Sequence, residues 1–204
     1  MKRLISILLI AVVFLMSCNN SEKNINDFTN QNLVTNNYEI ASSEYLIWKA
    51  RHMRDSVDDY ISKLSIKHGK ITIENDVVSG DIAVDISSMV KDDGLPKKLI
   101  KHLTSSGYFF TDSFPTANYH INNVINDSCF GTLEVIGIKK EINFPLSLVI
   151  SNDLIEVNSI FILDMLPFKL PDLLKTHQDK KREDVKGPNN LITLELNIKA
   201  LKSL

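Results

Sequence analysis

The side chains best suited to acid–base or metal chemistry in this 204-residue sequence are five histidines: His52, His68, His102, His120 and His177. No two of them stand four residues apart with a Glu between, as a zinc-protease helix requires, and no Cys-x-x-Cys occurs. His102 and His120 flank an aromatic run, and together with Asp112 they form the one enzymatic alternative worth weighing. Against it, His120 falls on the polar side of its strand. His52, at a strand end, reads as a structural hydrogen-bonding residue. There is no Gly-x-Ser-x-Gly elbow and no glycine-rich phosphate loop, and only seven glycines are present to build one. Asp81, Asp85, Asp112 and Asp164 sit at turn and outer-face positions. The mixed run Asp179, Lys180, Lys181, Arg182, Glu183, Asp184 reads as a solvated surface. Cys129, beside Phe130 and without a basic neighbour, reads as a small buried apolar residue rather than a nucleophile. The expectation is therefore a protein that is not an enzyme, with no catalytic residue, no metal and no cofactor.

The N-terminal residues carry a different kind of signal. Lys2 and Arg3 precede Leu4–Met16, an apolar run too short to cross a bilayer comfortably, and Leu15-Met16-Ser17-Cys18 follows. Residues 1–17 are read as a secretory signal whose Leu-x-Ser-Cys ending resembles that of a bacterial lipoprotein. Cleavage would leave Cys18 as the first residue, and acylation there would hold the chain on a membrane. The expected location is the cell envelope, on the periplasmic side or at the outer membrane. With Cys18 acylated, Cys129 has no partner and no structural disulfide is expected. Losing Lys2 and Arg3 takes the formal net charge from −2 to −4, a mildly acidic balance that argues against nucleic acid. Residues 18–37, rich in Asn and Ser, are expected to be a disordered tether, leaving 38–204 as one domain.

Within that domain short alternating runs recur. Tyr45–Met53, Ile61–Lys67 and Ile71–Ile73 read as separate strands, and Asn75-Asp76 as a turn. Ile82, Val84 and Ile86 alternate with polar residues. A helix follows, capped by Asp92 or Asp93, with Pro96 in its first turn and Leu95, Leu99, Ile100 and Leu103 as an apolar stripe. Gly107 fits its stop. The stretch Tyr108-Phe109-Phe110 then reads as a plug on an apolar interior, and a strand sets off at Phe114-Pro115 with Ala117, Tyr119 and Ile121 on its dry face. After Asn126-Asp127 come Leu133 and Val135, a turn at Gly137–Lys140, and a return through Phe144, Leu146, Leu148 and Ile150. In the next strand either Phe161, Leu163 and Met165 or Ile160 and Ile162 face inward. Residues 171–183 read as a loop or short helix. The last run, Ile192 to Ala200, is the cleanest and is expected to close a barrel. The fold class is all-β: an antiparallel barrel with one or two short helical inserts.

Four places carry a resemblance to a family. These are Tyr38-Glu39-Ile40 with Trp48 and His52-Met53, then Gly80 to Ser88, then Leu103 to Tyr119, then Gly131 to Gly137 with Ile142 to Leu146. In this order they resemble the YceI-like, polyisoprenoid-binding domain of exported bacterial proteins. The resemblance implies a lipocalin-like barrel whose apolar cavity holds an isoprenoid lipid or quinone, or a similar amphiphile. The sequence departs from the family at Ala41 and Glu44, where Asp and His are frequent, and at Met165, where Arg often follows the Asp. Expected cavity residues are Trp48, Ile71, Ile73, Ile82, Val84, Ile86, Tyr119, Leu133, Val135, Phe144, Leu146, Phe161, Leu194 and Leu196, with Phe109, Phe110 and Phe114 from the plug. The same alternation also builds a solid-cored scaffold without ligand. Whether two barrels pair as a homodimer is left open by the residues.

Overall fold

The structure is a computed structural model and describes residues 35–52, 59–91, 95–151, 153–178 and 188–203. Residues 1–17, Cys18, most of the tether, Asp92, Asp93 and the 179–184 charge run therefore lie outside the described residues, as do the side chains of His52 and His177.

Among the described residues ten antiparallel strands make one sheet: β1 (Thr35–Ile40), β2 (Tyr45–His52), β3 (Asp59–Glu74), β4 (Val77–Asp85), β5 (Thr116–Ile125), β6 (Ser128–Val135), β7 (Ile138–Pro145), β8 (Ser147–Ile150), β9 (Leu154–Asp164) and β10 (Pro188–Lys202). Two of the barrel's staves are broken strands. β1 and β2 both lie between β3 and β10, one above the other, joined by a jog at Ala41–Glu44. β7 pairs with β6, and after Leu146 the chain continues as β8 on β9. Counting each broken stave once, neighbours in sequence are neighbours in space, and β10 closes the barrel on β1 and β2. Three residues assigned to the tether, Thr35, Asn36 and Asn37, belong to the sheet: β1 pairs them with Glu74, Ile73 and Thr72.

Two helices are the only inserts of that kind among the described residues: α1 (Lys97–Thr104) and α2 (Pro171–Gln178), with short 3-10 helices at Ile86–Lys91 and Leu166–Phe168. Ile61–Lys67 and Ile71–Ile73 are not separate strands. They are one long strand with a bulge at Lys67, where the pairing with β4 slips between Ile66 and His68. The bulge flips the parity, so Leu64 and Ile66 face inward before it and Ile71 after it. The hairpin turns at Asn75-Asp76 and Asn126-Asp127 hold positive φ at both residues, the conformation that short hairpins demand and that Asn and Asp tolerate. The third tight turn is Ile136-Gly137 (φ +47° and +76°), one residue ahead of its expected position, because β7 already begins at Ile138.

In α1, Pro96 is the N-cap, and no side chain caps the helix among the described residues. Leu95 and Leu103 are buried, with Leu99 and Ile100 packed beside them. The helix stops at Ser105 rather than at Gly107. Gly107 serves close approach instead: a Cβ there would lie 2.1 Å from Asp172 Oδ2, and its carbonyl accepts the Asp172 N–H. α2 therefore docks on the turn that follows α1. On β9, Phe161 and Leu163 face inward, as does Met165 just past the strand's end, while Ile160 and Ile162 are about two-thirds exposed on the outer face (66% and 67%).

Candidate functional site: an apolar cavity

The inner faces of the staves enclose a cavity of about 160 Å³. Its wall runs the length of the barrel. On β10 it extends from Ile192 to Ile198, about 20 Å of strand at about 3.4 Å per residue. Two apolar clusters make the wall. One gathers Leu46, Trp48, Leu64, Met89, Leu103 and Tyr108 with Leu170 and Leu173 at the end covered by α1 and α2. The other gathers Ile40, Ile66, Ile71, Tyr119, Cys129, Phe144, Val157 and Ile198 toward the opposite end. Val84, Leu133, Ile142, Phe161 and Leu196 touch both and mark the middle. There Phe144 and Phe161 stack nearly parallel, 4.2 Å apart, between β7 and β9.

Of the residues expected to face this space, Trp48, Ile71, Ile82, Val84, Ile86, Phe109, Tyr119, Leu133, Val135, Phe144, Leu146, Phe161, Leu194 and Leu196 are on the cavity wall. Ile86 reaches it from the first residue of a 3-10 helix rather than from a strand. Three are not on the wall. Ile73 packs at the edge of the second cluster, past the cavity's end. Phe110 and Phe114 are exposed and meet each other edge to face at 6.1 Å. The reason lies in the backbone. Leu103 and Thr104 carbonyls at the end of α1 accept the N–H groups of Phe109 and Thr111, which folds the aromatic run back on the helix. Phe110 takes φ +45° in that fold. Tyr108 and Phe109 are thereby aimed inward and Phe110 outward. Phe114 donates to the Phe110 carbonyl and stays outside with it.

The wall holds further residues. Ala117 and Ile121, on the dry face that alternation gives to β5, are among them, as are Ile192 and Ile198, which share the parity of Leu194 and Leu196. The bulge hides Leu64 and Ile66 from a plain alternation. Leu170 comes from just before, and Leu173 from within, the segment that reads as a loop or short helix. Met165, at the position where the resemblance leads one to look for Arg, is buried and lines the cavity.

Almost nothing polar meets this space. Tyr119 Oη lies 3.5 Å from Cys129 Sγ. Burial pushes the Tyr119 phenol well above its ordinary range, and it pushes the Cys129 thiol up while the tyrosine contact pulls it partly back. Burial also raises the Tyr108 phenol to about 12, with Asp172 adding to the effect. Both phenols and the thiol are thus neutral at physiological pH. Among the described residues no charged side chain is on the wall. Such a space stays dry, since a trapped water needs about 2–4 polar partners.

His102 and His120 do not converge. His102 Nε2 is 3.5 Å from Asp172 Oδ2 beside α2, whereas His120 Nδ1 is 2.7 Å from Asp81 Oδ1 on the outer face. Asp112 is exposed. Among the described residues no cluster of three His, Cys, Asp or Glu is placed to hold a metal ion.

Fold and cavity together define the class: an all-β, lipocalin-like antiparallel barrel with two short helical inserts around an apolar interior. The model of the YceI-like domain matches residues 33–200, and the chain belongs to that family. Among solved structures, BcnA of Burkholderia cenocepacia is similar with a TM-score of 0.57 at 9% identity, over 81% of this chain and 99% of its own. A domain from Saccharophagus degradans, described as a polyisoprenoid binding domain implicated in plant cell wall breakdown, has a TM-score of 0.58 at 10% identity, over 82% and 98%. At these identities the likeness speaks to fold. A comparison with curated protein sequences returned no match.

Proposed function

We propose that this chain binds an amphiphilic lipid of the isoprenoid or prenyl-quinone type in its barrel, as a non-catalytic carrier or store in the cell envelope, held to the membrane through acylated Cys18. The observation that carries this reading is the cavity, about 160 Å³ in volume and apolar from end to end. Family membership and the polyisoprenoid-binding description of the Saccharophagus degradans domain support it.

Magnitudes favour a long tail. An engineered cavity of about 150 Å³ accepts one benzene ring. Six methylenes at about 0.8 kcal/mol each give about 5 kcal/mol, which the loss of translational and rotational freedom, at least about 4 kcal/mol, nearly cancels. Net affinity therefore needs more carbons than the unliganded space holds, and the flexible Met89 and Met165 side chains on the wall are suited to give way.

The chain has one tryptophan, Trp48, and it lies on the wall. Titration with a long-chain prenyl benzoquinone should quench its fluorescence saturably at one quinone per protein. Fluorescence that responds no more than that of free tryptophan would remove the reading.

A further inference from the structure

The hairpin turns after β3, β5 and β8 meet at one end of the barrel, together with the start of β1 and the end of β10. Thr35 pairs with Glu74, the Ser203 N–H donates to the Asn37 carbonyl, the Lys202 N–H to the Asp153 carbonyl and the Leu146 N–H to the Asp127 carbonyl, so these tips form a ring. Both helices pack in the apolar cluster at the opposite end. Turn-side positions of this kind are ordinarily polar, yet Val77, Ile125, Val149, Ile150 and Leu201 stand at or near the last rungs, each 47–59% exposed. Scattered singly they would need no account. Here five of them, from four strands, gather on one rim. The exposed charges beside them are mainly acidic: Glu74, Asp76, Asp127 and Asp153 against Lys202. The chain N-terminal to β1 also leaves from this rim, and residues 19–34, which separate it from Cys18, span at most about 55 Å even when fully extended.

Building on the anchored, lipid-binding reading, we propose that this rim docks on the surface of a zwitterionic bilayer, its five apolar side chains set among the headgroups. An acylated Cys18 puts a bilayer within reach of the rim and of no other end of the barrel so directly. The contact is weak by itself and is released on dilution. The tether makes it effective, because it holds the rim at high local concentration over the membrane. The acidic turns select against an anionic surface, where like charges repel. Lys97, Lys98 and Lys101 of α1 are exposed at the other end, so an anionic bilayer would favour the opposite orientation. With the rim down, the cavity is turned end-on to the membrane. Tyr38, Ile155 and Ala200, buried beyond the last wall residues, then separate the two with side chains rather than with a helix.

The test uses the full chain carrying Cys18→Ala, so that no acyl group binds, with phosphatidylcholine bicelles at millimolar lipid that contain a spin-labelled phosphatidylcholine. Amide resonances of Val77, Ile125, Ile150 and Leu201 should broaden, and those of Ile160 and Ile162 on the barrel's side and of α1 should not. Replacing part of the phosphatidylcholine by phosphatidylglycerol should weaken the effect. Ile125→Ser, Ile150→Ser and Leu201→Ser combined should raise the lipid needed for half-maximal broadening by about tenfold or more. None of these three residues is on the cavity wall, so the combined variant should still bind a prenyl quinone like wild type in bicelle-free solution. No broadening in the parent chain, broadening centred on Ile160 and Ile162 or on α1, stronger binding to the anionic bicelles, or an unchanged lipid requirement in the combined variant would overturn the docking proposal. Failure of the parent chain to bind quinone would instead bring down the lipid-binding reading, whatever the pattern of broadening.

Discussion

Val84→Trp separates a hollow barrel from a filled one. Val84 lines the cavity and packs against both apolar clusters, so it stands near the middle of the wall. Replacing its isopropyl group by indole adds roughly one aromatic ring, the size that a void of about 150 Å³ is known to admit. The space here is about 160 Å³, so the ring has room. In a filled interior the same exchange costs about 1–3 kcal/mol, a fall of about 2–12 °C in Tm for a domain of this size. With room available, Tm should stay within about 2 °C of wild type. The ring then occupies the place of about six methylenes, and at about 0.8 kcal/mol each the lipid loses about 5 kcal/mol, three to four powers of ten in Kd. Thermal melting and titration with a prenyl quinone measure the two quantities on one sample. A chain that melts several degrees lower yet takes up lipid as before would refute the reasoning on both counts.

Gly131→Ala tests the wall from behind: its Cβ would lie 2.2 Å from the His120 carbonyl oxygen and 2.7 Å from the Tyr119 ring, and a cost of about 1–3 kcal/mol should lower Tm by about 2–12 °C. Stability should hold through neutral pH and fall under alkaline conditions. Burial raises Cys129 above 9.0 and Tyr108 from 10.0 to about 12 in the folded chain. The unfolded chain therefore gives up these protons first as pH rises, and the urea midpoint should decline from pH 9 toward pH 12. A midpoint that stayed level from pH 9 to pH 12 would contradict this. Cys18→Ala should move the protein from the membrane pellet to the aqueous fraction of bacterial cells, and retention in the pellet would exclude lipid anchoring through that residue.

The period-two alternation makes much of the inner wall legible in the sequence, because successive side chains in a strand face opposite ways. Ala117, Tyr119 and Ile121 are the plainest case. The same rule fails where the backbone departs from a plain strand. The Lys67 bulge fused two expected strands and reversed the parity between Ile66 and Ile71. On β9 every residue from Ile160 to Leu163 is apolar, so parity alone could not choose a face. The choice shows only in space, where Phe161 stacks on Phe144. Phe110 misled because nothing about a phenylalanine announces a positive φ. Empty volume is also invisible to alternation. It depends on whether opposing side chains meet across the axis, which the order of residues along the strands leaves undetermined.

Native mass spectrometry of the Cys18→Ala chain, purified from a bacterial host without an anchor lipid to confuse the count, tests the central claim most directly. The account predicts one bound lipid per chain, released by organic solvent and restored by added prenyl quinone. A single unliganded mass before and after that addition would contradict it.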